Sequence, residues 1–462
     1  MKRTIDDVGS NDVNLQFVPL GAGQEVGRSC HMLNFKKNRS VMLDCGIHPA
    51  KDGLGALPSF FNEYLDFDDV KLCLITHFHL DHVAGLPYLM KKTDFNGQVY
   101  MTLATRAISR LMLTDFARRS STSGKDDSEP LYTEKQVEEC LRKVKVVDFH
   151  QEMNVDGIKF VAYHAGHVLG AAMFSVECDG IKTLYTGDYS RLDDRHLIPA
   201  ELPPFRPDLL IIESTCGSKL VGSQVNRERK LVKFVQTVLE RGGKCLLPVF
   251  SQGRAQEIML ILEEHWRRNP KLHNCPVVVI GQTATKSLHI FRTYTNQMNR
   301  KVRDARRPFE FKHLRFVERI RTLDQSRPCV VLANPGFMNQ GASRQLFESW
   351  CHDKKNGVAI CGYSIQGTLA YELSNKKVDK VTSLRGDEIP VRCAVQQISF
   401  MAHADFQDTD RFIEELKPKE VVLVHGAPTE MTNLNRELTK KYVVVRVRTL
   451  DTGQITHTQT QV

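Results

Sequence analysis

Apolar residues along the chain keep two rhythms, and the change from one to the other marks its organisation. Up to Thr215 they come in short runs broken by turns, as in Leu15 to Leu20, Cys30 to Phe35, Ser40 to Leu43 and Leu72 to Ile75. Such runs predict strands. Helices are predicted from Asp81 towards Lys91, over Leu103 to Arg118 and over Glu134 to Val144, and the polar, breaker-rich Arg119 to Pro130 predicts a surface loop. Beyond Thr215 the elements alternate: a helix over Arg227 to Arg241, a buried strand over Cys245 to Phe250, a helix over Arg254 to Arg267 and a strand over Pro276 to Ile280. Strands alternating with long helices predict a parallel α/β lobe.

Potential metal ligands sit where the strands end. His77-Phe78-His79-Leu80-Asp81-His82 places four metal-ligating side chains within six residues, directly behind Leu72-Cys73-Leu74-Ile75. Residues two apart in extended backbone face the same way, so His77 and His79 form one group and Asp81 with His82 a second. Neutral imidazoles and a carboxylate suit zinc. The arrangement recurs: His164 comes after Ile158 to Ala162, Asp188 ends Thr183 to Gly187, and Glu213 ends Leu209 to Ile212. Much later, His403 comes after Ile398 to Phe400 and His425 ends Val421 to Val424. One polar residue at a strand end is ordinary; the recurrence implies that neighbouring strand ends converge on one site. Because His403 and His425 return to this chemistry, the α/β lobe reads as an insertion, with a first domain over 1–217, the insertion over 218–393 and the return over 394–462.

The histidine cluster, His164, Asp188 and His425 resemble the successive metal motifs of the metallo-β-lactamase superfamily, and Glu213, His403 and His425 resemble the added motifs of its β-CASP nuclease branch. Gly21 to Cys30, Leu43 to Pro49, His164 to Met173, Pro248 to Phe250, Gly253 to Glu257 and Leu346 to Cys351 resemble the endonuclease subunits of cleavage and polyadenylation factors. The resemblance implies a metallo-β-lactamase αββα sandwich interrupted by a β-CASP domain with a parallel α/β sheet. It implies two zinc ions, one held by His77, His79 and His164, the other by Asp81, His82 and His425, with Asp188 bridging. It makes His403 the general acid, oriented by Glu213, and counts Asp81 in the catalytic set as well. Asp44 is expected as a buried support, and His167, His48 and His196 as hydrogen-bonded supports. The expected substrate is RNA, since RNA-acting members carry histidine where this chain has His425. More narrowly the resemblance points to pre-mRNA cut at its 3′ end in the nucleus, alongside other subunits of a cleavage and polyadenylation complex. The partner-binding region that comes after the nuclease module in that family does not occur before Val462, which leaves open whether this module assembles alone. The alternatives are an Integrator-type RNA endonuclease, or a small-molecule metallo-hydrolase that would leave Glu213 and His403 without a task. Cys216, Ser251-Gln252 and Met401 depart from the family pattern, and none of them removes a ligand.

Charge sharpens this picture. The chain carries +9 overall, yet Ser218 to Cys393 holds 31 Lys and Arg against 15 Asp and Glu, which leaves 32 against 39 elsewhere. The inserted lobe is therefore basic and the ligand-bearing part mildly acidic. Its densest stretch, Arg292 to Arg321, interleaves cations with Tyr294, Phe309, Phe311 and Phe316, which favours a polyanion partner. With 41% hydrophobic and 25% charged residues the composition is that of a soluble protein, and 462 residues call for more than one core. No run approaches the roughly 20 apolar residues that cross a bilayer, and Met1 to Asp7 lacks the apolar stretch of a signal peptide. The 12 cysteines form no C-x-x-C pair and read as small buried hydrophobes. Of two glycine-rich runs, Gly21 to Gly27 reads as tight turns, while Gly336 to Gly341 could bring backbone amides near a phosphate.

Overall fold

The computed structural model describes residues 15–60, 65–122, 130–362, 364 and 367–458. The chain divides into two compact units: residues 1–193, 198–220 and 403–462 form the first, and 194–197 with 221–402 the second.

The first unit is a sandwich of two seven-stranded sheets. One runs Thr456–Thr458, Leu15–Gly21, Cys30–Phe35, Arg39–Leu43, Val70–Leu74, Gln98–Met101 and Lys145–Val146, antiparallel over its first three pairings and parallel thereafter. The other runs Arg446–Thr449, Glu420–Val424, Leu209–Glu213, Ile181–Tyr185, Ala172–Cys178, Ile158–His164 and Glu152–Val155. Alternation along each strand aims one set of side chains inward. Phe17, Leu33, Leu43 and Leu74 of the first sheet thus meet Phe160, Phe174, Ile211 and Val422 of the second in one buried core. The opposite face of the first sheet, with Met32, Met42 and Cys73, is covered by Leu86, Leu89, Val137 and Leu141 of flanking helices. Helices Phe406–Leu416 and Pro428–Lys441 bury Phe412, Ile413, Met431 and Leu434 in the same unit, which completes the αββα layering.

The second unit is a six-stranded, wholly parallel sheet in the order Leu314–Val317, Val277–Ile280, Val330–Ala333, Cys245–Pro248, Gly357–Ile360 and Ala394–Gln397. Leu247, Val279 and Leu332 point to helices Gln224–Glu240 and Arg254–Arg268. Leu246, Val278 and Val331 point the other way, to helices Gly341–Trp350 and Leu369–Asn375. Both faces are buried, which is why its strands read as unbroken apolar runs. Asp194 to Leu197 belongs here because the buried Asp194 pairs with Arg254 at 2.6 Å and His196 Nδ1 lies 2.8 Å from Glu257.

Three elements differ from the sequence reading. The helix expected over Asp81 to Lys91 is two short ones, Leu80–Val83 and Leu86–Lys92, parted at Gly85, where an added Cβ would come 2.8 Å from the Gly46 carbonyl oxygen. Helix Leu103–Thr122 enters the expected loop, whose residues 123–129 lie outside those described. The strand before His403 is Ala394–Gln397, not Ile398 to Phe400, and it forms the edge of the second unit's sheet; the first unit resumes only at His403. All 12 cysteines are free and 11 are buried, and among the described residues no helix is long and apolar enough to cross a membrane.

Candidate metal centre

The ligand turn after Val70–Leu74 is clamped by backbone. The N–H groups of Ser29, Cys45 and Ile47 donate to the carbonyls of Asp81, His82 and Leu80 at 2.7, 2.9 and 3.0 Å. So close an approach needs Gly46, where an added Cβ would lie 1.7 Å from the Asp81 oxygen. Beneath the turn sits Asp44, fully buried in left-handed backbone (φ 61°). Its carboxylate accepts from the Thr76 N–H (2.7 Å), Thr76 Oγ1 (2.8 Å), Tyr185 O–H (2.8 Å) and His82 Nδ1 (2.8 Å). Thr76, having donated to Asp44, is left to accept from His77 Nδ1 at 3.0 Å. Both imidazoles thereby turn their Nε2 atoms to the site, as metal-binding histidines do when an outer partner holds the other ring nitrogen.

Two groups of donors result. His77, His79, His167 and Asp188 form one, and Asp81, His82 and His425 the other, with donor atoms in each group within 4.8 Å of one another. Asp188 faces both: Oδ2 lies 3.7 and 3.6 Å from Nε2 of His77 and His167, and Oδ1 lies 3.4 and 3.3 Å from His82 Nε2 and His425 Nδ1. The second group is closed by His425 Nε2 at 3.3 Å from Asp81.

These donors fit metal cations better than they fit each other. Nε2 of both His77 and His167 approaches His79 Nδ1, at 3.0 and 3.1 Å. Even with a proton shared in one of these contacts, the other sets two nitrogens against each other unless further charge is buried. Asp188 Oδ1 is buried without a hydrogen-bond partner. It is met there only by the His82 and His425 imidazoles at 3.4 and 3.3 Å, and a cation between the groups would satisfy it more fully. Burial, aided by neighbouring imidazoles, holds the His77 pKa well below the ordinary value; burial likewise lowers His79, to about 4. Both are neutral nitrogen donors at pH 7. Burial opposes protonation of His82 and His425 too, but the nearby carboxylates, Asp188 foremost, hold both above the ordinary value. Cation binding in that group therefore competes with protons.

Glu213 forms a third such group with Asp188 and His425, and it carries a further partner, His403. His403 Nδ1 lies 2.8 Å from the buried Glu213, which also accepts from the Tyr189 N–H at 2.9 Å. Burial works against the imidazolium, yet Glu213 and Asp188 raise the His403 pKa to about 9, so it holds a proton at neutral pH. Its ring lies 4.8 Å from that of His167 and 6.3 Å from that of His425.

One expected ligand is replaced. His164 ends its strand with its ring stacked 3.7 Å from Phe149, outside both donor groups. The place expected for it is taken by His167, read from sequence as a support, which a turn at Gly166 (φ 68°) and His167 itself (φ 54°) swings towards His79. Reading ligands at strand ends favours the first histidine; the glycine after Ala165, which lets the chain reverse, was the signal for the second. The outer partners Thr76, Tyr185 and Thr215, the last 3.0 Å from His425 Nδ1, were not singled out either. His48 accepts from the Ala50 N–H and His196 lies in the second unit.

The family description "Metallo-beta-lactamase superfamily domain" matches residues 32–206, "Beta-Casp domain" 255–373 and "Zn-dependent metallo-hydrolase RNA specificity domain" 388–449. The chain thus carries a metallo-β-lactamase domain followed by a β-CASP domain. It is 47% identical over 431 residues to cleavage and polyadenylation specificity factor 73 of Drosophila melanogaster, covering 93% of this chain and 62% of that one. It is 45% identical to cleavage and polyadenylation specificity factor subunit 3 of Dictyostelium discoideum (97% and 58% covered) and 45% identical to endoribonuclease YSH1 of Yarrowia lipolytica (92% and 52%). The chain thus spans just over half the length of these curated relatives. A bacterial protein of unknown function from Enterococcus faecalis V583 shares the fold, with a TM-score of 0.53 at 13% identity over 96% of this chain and 99% of that one.

The two histidines give the geometry a direct check. Metal content measured by elemental analysis is expected to fall in His167→Ala and to stay at the wild-type level in His164→Ala. The reverse pattern would return His164 to the donor set.

Proposed function

We propose that this chain is a zinc-dependent endoribonuclease that cuts pre-mRNA at its 3′ end for polyadenylation, working in the nucleus with other subunits of a cleavage and polyadenylation complex. The observation that carries the reading is Asp188, whose two carboxylate oxygens face two separate donor groups while the protonated His403 stands alongside. The names of the relatives and the RNA-specificity description support the substrate.

In this reading His77, His79 and His167 would hold one zinc ion and Asp81, His82 and His425 the other, with Asp188 available to both. Such ions would supply Lewis-acid activation of water and charge neutralisation at a phosphodiester. The chain's own residues do the rest. Asp44 and Thr76 fix the His82 and His77 rings, so the donors need no rearrangement when substrate arrives. Glu213 holds the His403 Nδ1 proton and leaves Nε2 to protonate the departing ribose oxygen. The outward cations of the second unit bind the RNA backbone: Arg292, Arg300, Arg303, Arg306, Arg307 and Lys312 are all exposed. Of the aromatics interleaved with them, Phe309 is buried and Phe311 and Phe316 pack on the core, so the stretch offers charge rather than a row of stacking rings.

Changing Arg303, Arg306 and Arg307 together to Ala is expected to weaken RNA binding and flatten its salt dependence, by about one unit of slope for each phosphate no longer held. An unchanged affinity and slope would make the stretch a solvated surface only.

His403→Ala is expected to keep its metal and its RNA affinity while cleaving about 10²–10⁴-fold more slowly, since leaving-group protonation alone is removed. A substrate with bridging 3′-sulfur, which departs without a proton, should rescue His403→Ala far more than His425→Ala. Equal rescue, or loss of metal from His403→Ala, would contradict the assignment.

A further inference from the structure

Among the described residues Phe250 is the only exposed Phe, Tyr or Trp side chain, with 38% of its surface open to solvent. It lies in the second unit, just past the strand Cys245–Pro248, and its ring is held in place. Phe337 meets it edge-on, with centroids 4.7 Å apart and planes at 80°. Gly336 lies against the ring so closely that an added Cβ would come 2.8 Å from Phe250 Cε2. The two turns carrying the pair are tied together by Asn334 Nδ2–H, which donates to Ser251 Oγ at 2.7 Å. A phenyl ring braced on two sides and left open on the rest is a prepared surface, whereas an unconstrained exposed side chain is not.

We propose that Phe250, backed by Phe337, is a stacking platform for a base of single-stranded RNA; this rests on the ribonuclease reading. Its position in the fold is the first reason. Strands Cys245–Pro248 and Val330–Ala333 are neighbours, and the chain leaves the first towards Val277–Ile280 on one side and the second towards Gly357–Ile360 on the other. That reversal is a topological switch point, and open parallel sheets bind ligands at the carboxyl ends of strands there. Charge is the second. The surrounding segment has a surplus of cations, 31 against 15, and helix Arg254–Arg268 begins just beyond Phe250 with no side-chain cap on its first amides. Backbone phosphates fit such donors. The chemistry of the ring is the third, because an aromatic face accepts any base and needs no sequence match.

The test uses the intact protein and a short single-stranded RNA, with binding followed by stopped flow before cut product forms. Phe250→Ala is expected to bind about 5- to 150-fold more weakly, with the slope of affinity on salt unchanged because every phosphate stays held. Phe250→Leu should weaken binding as much, which separates the aromatic face from mere bulk. An oligomer with abasic positions should bind wild type and Phe250→Ala alike. The chain's two tryptophans, Trp266 and Trp350, are buried, so Phe250→Trp adds an exposed reporter whose emission normal RNA should quench and abasic RNA should not. Wild-type affinity in Phe250→Ala, or no quenching in Phe250→Trp, overturns the platform and leaves the pair to a partner chain. A wild-type protein that binds no RNA overturns the ribonuclease reading itself, and this proposal with it.

Discussion

The buried carboxylate of Asp44 is the constraint around which the first unit is arranged. A charge with no access to water must be met by donors, and here they come from separate places in the sandwich. Thr76 and His82 belong to the turn after one strand of the first sheet, and Tyr185 ends a strand of the second. Satisfying Asp44 therefore fixes the two sheets against each other at the end where the donors lie, and fixes the orientation of the His77 and His82 rings. Stability and site geometry rest on the same hydrogen bonds. Removing a partner from such a network costs about 1–3 kcal/mol or more, because the group left behind stays buried, and it would also free the rings to turn.

The donors are kept in opposite electrostatic conditions for a related reason. Burial keeps charge off His77 and His79, whereas the carboxylates around His82 and His425 shift both towards the protonated form. Without cations the second group balances its carboxylates with protons, and cations can take over that balance. His403 has its own carboxylate partner in Glu213, as His82 has in Asp44, so its proton does not depend on the donor groups alone.

Much of this was legible in the sequence, and the failures have physical causes. The cluster from His77 to His82 stood out because four donors in six residues behind an apolar run have few other uses. Asp188, Glu213 and His425 were legible because each ends or closely succeeds a strand, and strand ends in a sandwich converge. His167 was missed because its place depends on backbone reversal at Gly166 and not on strand periodicity. Gly85 and Gly46 shape the ligand turn through contacts between segments far apart in sequence, which local pattern cannot register. The aromatics between Arg292 and Arg321 looked like partners of the cations around them, but most face inward, since a short strand such as Leu314–Val317 must bury one face. Phe250 looked like the end of a core strand and is instead the one exposed ring of a Phe, Tyr or Trp among the described residues.

The central claim is that the sandwich builds two cation sites that share Asp188. Crystals of the protein grown with zinc, with diffraction recorded on both sides of the zinc absorption edge, test it most directly. The account predicts two anomalous peaks, one among His77, His79 and His167, the other among Asp81, His82 and His425, with an oxygen of Asp188 at each. A single peak, or a peak beside His164 and away from Asp188, would contradict it.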